Sequence, residues 1–216
     1  MFNQISATYD RVNRILSLGQ DRRWRKQVAK HLPLRPHLQI LDLATGTGDQ
    51  LAALMSAGLS IHRMVGLDLA DKMLAIARSK LPKAEFIHGD AEKIPFPNAE
   101  FDAITISFGI RNVENPLAAL REMHRALKPR GRALILEFSM PPPWIRPFFL
   151  FYLRKVLPYL GGLLSRNFPA YRYLNQTIES FPSGPAFIQL MRQAGFASVT
   201  TRPMNLGSVT LYVGEK

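Results

Sequence analysis

The chain has 216 residues, 28 Lys and Arg against 16 Asp and Glu, and no cysteine. The length fits one α/β domain, and a hydrophobic fraction of 47% argues against a disordered chain. The absence of cysteine excludes a disulfide scaffold, a thiolate nucleophile and a Cys-ligated metal. No stretch spaces His and carboxylates like a metal site, so we expect none.

The net charge of +12 is concentrated at the two ends of the chain. Residues 1–37 carry eight Lys and Arg against two Asp, and residues 138–216 carry eight against two Glu. The segment between them carries twelve charges of each sign. Basic flanks of this kind are typical of proteins that bind nucleic acid or a membrane surface.

The sequence predicts neither a secretion signal nor a membrane-spanning helix. The first residues show no basic and apolar leader pattern. The most apolar stretch, residues 147–164, is interrupted by Arg154, Lys155, Pro158 and a glycine pair, whereas a spanning helix needs about 20 mostly apolar residues. We therefore expect a cytoplasmic protein, peripheral on the inner face of the membrane.

Between residues 38 and 137, short apolar runs alternate with helical patterns. We predict strands over 38–43, 62–67, 84–88, 101–107 and 132–138, and helices over 49–57, 71–81 and 116–127. Asp71 precedes the second helical pattern and is expected to be its N-cap. Strands that alternate with helices predict a doubly wound, mostly parallel α/β sheet.

The ends of the chain extend this core within one domain, residues 1–216. Residues 1–37 form a helical N-terminal cover, and residues 38–138 form the ligand-binding core. Residues 139–173 contain no acidic residue and are rich in Pro, Leu and aromatics, so we expect a helical insertion there. Residues 174–216 supply a helix near 184–194 and strands near 198–202 and 207–213.

The turn after the first strand has the features of a ligand-binding loop. It reads Asp42-Leu-Ala-Thr-Gly46-Thr47-Gly48-Asp49, and its glycines allow a tight turn and close backbone approach. Asp68 ends the second strand, where a carboxylate can bind both hydroxyls of a ribose. The pattern therefore predicts a nucleoside ligand.

The same loop is unsuited to a dinucleotide. The third glycine of the dinucleotide motif is replaced by Leu51, and Asp49 puts a carboxylate where a pyrophosphate would bind. Asp42 and Asp49 instead suit a cationic ligand such as S-adenosylmethionine (SAM). Asp90, after the third strand, can read the adenine edge, and residues 105–109 end the fourth strand, where ligands bind in open α/β sheets.

These motifs resemble those of class I SAM-dependent methyltransferases, and three segments are similar to the ubiquinone/menaquinone C-methyltransferase family. The segments are residues 9–24, with Tyr9-Asp-Arg-Val-Asn13, Ser17 and Trp24, then residues 107–113, and residues 125–139. The resemblance implies a Rossmann-like, seven-stranded sheet. It also implies that SAM is bound by Thr47, Asp68, Asp90, Ala91 and Ser107, besides Asp42, Gly46 and Gly48 of the loop.

The chain departs from the family pattern at three positions. It has Asp21 where the family usually has His, Val12 where Met is usual, and Arg130 where Gly is usual. The resemblance implies methylation of a ring carbon of a polyprenylated quinol, ortho to a hydroxyl, without a metal. Arg111 is expected to stabilise the phenolate, and Tyr9 to close over SAM or contact the quinol oxygen.

The insertion is expected to cover the acceptor and meet an anionic membrane surface. Its apolar side chains suit an isoprenoid tail: Trp144, Phe148, Phe149, Phe151, Tyr152, Leu160, Leu163 and Leu164. Its cations suit anionic headgroups: Arg146, Arg154, Lys155, Arg166 and Arg172.

Three alternatives stay open at this point. They are a SAM methyltransferase acting on a phospholipid amine or a small aromatic, an RNA methyltransferase, and a non-catalytic SAM-binding protein. No separate RNA-binding module is visible, and the C-terminal cations are mixed with apolar runs, so we expect no nucleic-acid partner. The choice between a naphthoquinol and a benzoquinol, and self-association, are left open.

Overall fold

A computed structural model describes residues 10–165 and 168–216, without the side chains of residues 164, 165, 170 and 171. Seven strands form one sheet: β1 (Leu38–Leu43), β2 (Ile61–Asp68), β3 (Glu85–His88), β4 (Phe101–Ser107), β5 (Leu127–Phe138), β6 (Ser198–Met204) and β7 (Val209–Glu215). Their order is β3-β2-β1-β4-β5-β7-β6. The first five pair in parallel, and β7 is antiparallel to both β5 and β6. The predicted doubly wound α/β fold is confirmed.

The helices lie on both faces of the sheet and at its carboxyl edge. They are α1 (10–16), α2 (Gln20–Ala29), α3 (Asp49–Met55), α4 (Asp71–Lys80), α5 (Pro116–Ala126), α6 (Arg146–Phe151), α7 (Leu157–Ser165), α8 (Phe168–Ser180) and α9 (Pro185–Gln193). A π-helical turn, Tyr152–Val156, joins α6 to α7. The insertion is therefore helical, as predicted, but it extends past residue 173 because α8 continues to Ser180.

Alternating side chains of the central strands divide the core into two layers. In β1, Leu41 and Leu43 pack in one buried cluster with α5 and α9, whereas Leu38 and Ile40 pack in the other with α2 and α3. This follows from the two-residue period of a strand. Near-continuous apolar strands are typical of a parallel sheet that is covered on both faces.

A third cluster joins the N-terminal helix to the insertion. Val12 of α1 is buried against Leu153, Leu157 and Ile178, and the Tyr152 hydroxyl donates a 2.8 Å hydrogen bond to the Leu16 carbonyl. The two segments that flank the core in sequence are thus packed together over its carboxyl edge. They form the walls of the second cavity described below.

Two local predictions are wrong. The N-cap position of α4 is occupied by Ala70 and has no side-chain cap, because the Asp71 carboxylate instead pairs with His88 Nδ1 at 2.8 Å. The strand predicted from residue 132 begins at Leu127. The predicted turn lies inside β5, where Arg130 has a φ of +59°.

Candidate functional site

The carboxyl ends of the neighbouring strands β1 to β4 border a cavity of about 440 Å3, the sheet-edge cavity. Its lining comes from the loops that follow these strands: Ala44, Gly46, Leu67, Asp68, Leu69, Ala70, Met73, Gly89, Asp90, Ala91, Glu92, Ser107, Phe108, Gly109, Asn112, Val113 and Glu114. In open α/β sheets, ligands bind at this edge, where the direction of winding reverses. Here the reversal lies between β1 and β4.

Five of the eight predicted SAM-binding residues line this cavity: Gly46, Asp68, Asp90, Ala91 and Ser107. The other three, Asp42, Thr47 and Gly48, do not line it. The Thr47 hydroxyl donates to Asp10 of α1 at 2.6 Å, and a Cβ at Gly48 would lie 3.0 Å from Leu81 Cδ1. Gly48 therefore allows close packing of the loop on α4, while its φ of +80° turns the chain into α3.

Asp68 fixes the shape of the glycine loop. Its carboxylate accepts one hydrogen bond from the Gly46 N–H at 2.7 Å and another from the Ala70 N–H at 2.8 Å. Burial raises the pKa of Asp68, although these backbone donors oppose the shift. The cavity thus combines a carboxylate at the end of β2 with a backbone turn that leaves room for a ligand, which fits a nucleoside with free ribose hydroxyls.

The remaining polar groups of the lining are also held in place. Ser107 Oγ donates to Gln50 Oε1 at 2.8 Å, and Asp90 accepts a hydrogen bond from the Glu92 N–H at 2.9 Å. In the described part of the chain, no group of three His, Cys, Asp or Glu gathers as metal ligands would. A metal-free reaction stays a prediction.

A second cavity of about 460 Å3, the apolar cavity, lies between the N-terminal helices, the loop after β4 and the insertion. Its lining includes Leu16, Trp24, Phe138, Phe149, Tyr152, Leu153, Leu157, Leu160, Tyr173 and Leu174, and its charged residues are Asp21, Arg25, Asp49 and Arg111. Phe108 and Asn112 line both cavities. The two cavities therefore meet at these two residues.

Arg111 lies in the wall of the apolar cavity as part of a buried ion pair. Its Nη1 donates to Glu137 Oε1 and to the Phe108 carbonyl, both at 2.6 Å. The side chains of Arg111 and Glu137 are 5% and 1% exposed. Within the described residues, no hydrogen-bond partner is recorded for Arg111 Nη2, so this group is available to a ligand in the cavity.

Comparison with known proteins identifies the family. The profile of the ubiE/COQ5 methyltransferase family matches residues 1–216, which is the whole chain. The chain belongs to this family. A SAM-dependent methyltransferase from Thermotoga maritima shares the fold, with a TM-score of 0.66, 20% identity and full coverage of both chains.

Curated relatives of this methyltransferase match over its full length. A demethylmenaquinone methyltransferase of Thermus thermophilus is 44% identical, with 100% of both chains covered. A ubiquinone/menaquinone biosynthesis C-methyltransferase of Citrifermentans bemidjiense is 43% identical, covering 100% of this chain and 94% of the relative. The predicted family, enzyme class and use of SAM are thus confirmed.

Within this methyltransferase, Asp42 is a buried acid behind the loop. It accepts hydrogen bonds from Thr45 Oγ1 at 2.7 Å and Thr105 Oγ1 at 2.6 Å. Burial raises its pKa from 3.8 to about 6, against the effect of these two hydroxyls. Asp42 thus connects the loop to β4 through hydroxyl groups. Direct contact with the cationic part of SAM stays a prediction.

The raised pKa gives a testable pH dependence of stability. The folded protein binds a proton at Asp42 up to about pH 6, whereas the unfolded chain releases it near pH 4, so this group makes folding less favourable as pH rises between these values. The cost is about 3 kcal/mol for a shift of roughly two units. In Asp42→Asn, the unfolding free energy relative to wild type should therefore rise by about 3 kcal/mol between pH 4 and pH 7. Urea denaturation at several pH values measures this, and a constant difference would contradict it.

Several site residues were not predicted from the sequence. Asp21, Trp24 and Arg25 of α2 line the apolar cavity, and the signal that could have found them is their i, i+3, i+4 spacing on one helix face. Glu137 lies within the family-like segment 125–139, and the signal that could have found it is an acid in a buried strand, which calls for a cationic partner. Tyr9 lies outside the described residues.

Proposed function

We propose that this protein transfers the methyl group of SAM to a ring carbon of a prenylated quinol, with demethylmenaquinol as the acceptor. The observation that carries the proposal is the junction of the two cavities at Phe108 and Asn112. One cavity has the glycine loop and the acid of a nucleoside site, and the other is mostly apolar, with the guanidinium groups of Arg25 and Arg111 in its lining. The names of the curated relatives support the same acceptor class.

When bound, SAM supplies an electrophilic methyl group on a sulfonium. In this proposal, Asp68 binds the ribose hydroxyls, Asp90 and Ala91 contact the adenine, and Gly46 allows close approach of the loop. Asp42, Thr47, Gly48 and Ser107 are proposed SAM-binding residues as well, and they hold the loop and its surroundings in place. The chain must then align the acceptor carbon with the methyl group and keep water out.

Arg111 is the group that acts on the acceptor oxygen. Its free Nη2 donates a hydrogen bond to the quinol oxygen as negative charge develops there, and this interaction is strong because the surrounding cavity is apolar. Glu137 holds the guanidinium in place through Nη1. The ring of Phe138 also packs against the guanidinium, with its centroid 5.4 Å from Arg111 Cζ. This contact limits the movement of the Arg111 side chain.

Methyl transfer with several acceptors tests this function. Purified protein is given tritiated SAM with demethylmenaquinol, its demethylated benzoquinol counterpart, phosphatidylethanolamine or RNA. We expect label in demethylmenaquinol and none in the amine or the RNA. Label in the amine or the RNA alone would contradict the proposal, and the ratio between the two quinols gives the ring preference.

We infer further that the insertion meets the membrane surface from which a prenylated acceptor enters. Its residues divide between two faces: Phe149, Tyr152 and Leu160 line the apolar cavity, whereas Trp144 and Phe148 are 71% and 77% exposed. The neighbouring cations Arg146, Lys155 and Arg172 are exposed, but Arg154 is paired with Glu179. Leu164 and Arg166 cannot be assigned to a face because their side chains are not described. In the described chain, no helix is both long and apolar enough to cross a membrane.

Vesicle co-sedimentation measures this association. We expect the protein to bind vesicles containing phosphatidylglycerol at low salt and to dissociate as salt rises. Trp144→Ser with Phe148→Ser should weaken binding about tenfold or more, because two large apolar side chains leave the interface. Leu34→Ser, which changes an exposed residue before β1, is the matched control. Equal binding by both variants would contradict the inference.

A further inference from the structure

Asp21 is a buried carboxylate in the apolar cavity, close to the junction of the two cavities. It is 6% exposed and lies one helical turn before Trp24 and Arg25 on the same face of α2. Both of these contact the junction residue Phe108: the Trp24 ring centroid lies 6.0 Å from that of Phe108, and Arg25 Cζ lies 5.5 Å from it. One helical turn is about 5.4 Å, so Asp21 lies within reach of a ring bound at the junction.

The two oxygens of Asp21 have different surroundings. Oδ1 accepts a hydrogen bond from Ser17 Oγ at 2.9 Å. Oδ2 is 3.8 Å from Arg14 Nη2, which is too long for a hydrogen bond, and no other donor to Oδ2 is recorded within the described residues. One oxygen is therefore held by the protein while the other can accept a proton or hydrogen bond from a ligand.

Arg14 is also incompletely paired. Its Nη2 is 3.6 Å from Asp49 Oδ2, and its Nε is buried without a hydrogen-bond partner. Buried polar groups normally have partners, and a tight structural ion pair between Arg14 and Asp21 would satisfy both. Arg14 therefore does not satisfy Asp21 Oδ2, and Asp21 lines the apolar cavity, where a polar ligand group can supply the missing partner.

Asp49 is the other carboxylate in the lining of the apolar cavity. It pairs with Lys80 as well as Arg14. Burial alone would raise its pKa, but Lys80, Arg25 and Arg14 outweigh burial and lower the pKa of Asp49 below its ordinary range. The remaining charged or titratable groups at the cavity are the cations Arg25 and Arg111 and the phenols of Tyr152 and Tyr173.

We propose that Asp21 is the general base that accepts the proton of the quinol hydroxyl during methyl transfer. The proposal rests on the proposed function and assigns Arg111 and Asp21 complementary roles. Asp21 takes the proton, and Arg111 stabilises the oxygen that loses it. General bases of this kind contribute about 10²- to 10⁴-fold to the rate.

The proton and electron balance is simple. The quinol O–H bond breaks, its proton goes to Asp21, and the electron pair moves into the ring. The ortho carbon then forms a bond to the methyl group while the S–CH₃ bond breaks with its electron pair on sulfur. The methylated carbon loses its hydrogen to solvent as a proton, and Asp21 returns its proton to the oxygen. One proton is released in total.

The test compares four proteins with demethylmenaquinol at saturating SAM: wild type, Asp21→Asn, Asp21→His and Arg22→Gln. Arg22 is exposed on α2, so Arg22→Gln shows the effect of changing the charge of this helix by one unit outside the cavity. Thermal unfolding and SAM affinity are measured for each variant. The pH dependence of kcat is the readout that a purely structural carboxylate would not change.

We expect Asp21→Asn to lower kcat about 100-fold or more with unchanged SAM affinity. Asp21→His should keep turnover within about tenfold, with the acidic limb of its kcat profile moved toward the ordinary imidazole pKa of about 6.5. Arg22→Gln should match wild type. Full turnover by Asp21→Asn would overturn the role of Asp21 but leave the proposed function standing. A folded Asp21→His variant that is as slow as Asp21→Asn would have the same consequence. Absence of turnover by wild type on any quinol would overturn the proposed function and this role with it.

Discussion

Arg111→Ala is expected to lower kcat for quinol methylation by about 10²- to 10³-fold while leaving the Kd of SAM almost unchanged. The reason is that Arg111 lines the apolar cavity, which we propose holds the acceptor, and is absent from the lining of the sheet-edge cavity. Its Nη2 is available to stabilise the charge that develops on the quinol oxygen, and alanine offers no donor. Single-turnover kinetics at saturating SAM, with SAM affinity measured by calorimetry, separates the two quantities.

The same substitution has a structural consequence that needs its own control. Arg111→Ala leaves the buried Glu137 carboxylate without its cation, at a cost of about 3–5 kcal/mol. Burial already raises the pKa of Glu137, and Arg111 opposes that shift. A variant with Arg111→Met and Glu137→Gln removes both charges and should recover much of the lost stability. It should nevertheless remain as slow as Arg111→Ala. Recovery of turnover in this double variant would show that Arg111 only stabilises the fold.

Asp68→Ala is expected to raise the Kd of SAM about 100- to 1,000-fold. A carboxylate that accepts hydrogen bonds from two ribose hydroxyls contributes about 1.5–3 kcal/mol of binding free energy for each hydrogen bond. The substitution also removes the acceptor of the Gly46 and Ala70 backbone N–H groups. Asp71→Asn is the matched control, because Asp71 pairs with His88 and does not line the sheet-edge cavity. Calorimetry with S-adenosylhomocysteine measures the effect without turnover.

A ligand without the 2′-hydroxyl separates direct binding from loop support. In wild type, 2′-deoxy-S-adenosylhomocysteine should bind more weakly than the parent ligand. In Asp68→Ala the two ligands should bind alike, because the partner of the hydroxyl is absent. If the deoxy ligand is weakened equally in both proteins, Asp68 supports the loop without contacting the ribose.

The sheet-edge cavity was largely predictable because its residues follow strands that the sequence marks clearly. β1 and β4 are mostly apolar segments whose predicted bounds match the structure. Since parallel strands end at one edge, Gly46, Asp68 and Asp90 had to lie close together. Asp42 is different: its contact with the ligand stays a prediction, while the structure shows its hydrogen bonds with Thr45 and Thr105. Hydrogen bonds between side chains of separate segments leave no periodic pattern in the sequence.

The apolar cavity was much harder to predict. Its walls come from residues 13–25, 49, 108–112, 138, 149–160, 173–174 and 205–208, which meet only through tertiary packing. Apolar helix faces indicate burial, but they do not tell which helices enclose a common space. The side chains that give the cavity its chemistry, Asp21, Arg111 and Glu137, needed the contacts in the structure.

The structure also shows the partners of several cations in the two basic flanks. Some of their cations are used within the fold: Arg35 pairs with Asp102, Arg154 pairs with Glu179, and Lys216 Nζ donates to the Leu127 carbonyl at 2.8 Å. These cations are therefore not part of the free positive surface. Arg146, Lys155 and Arg172 of the insertion are exposed, and they are the cations that we propose meet the membrane.

The position of the new methyl group tests the central claim most directly. Wild-type protein is given [methyl-¹³C]SAM and demethylmenaquinol, and the product is examined by carbon NMR. Transfer at the junction of the two cavities, with Arg111 stabilising the oxygen, predicts an aryl C–CH₃ resonance ortho to the hydroxyl. A methoxy resonance from O-methylation, or label on any other atom, would contradict the account.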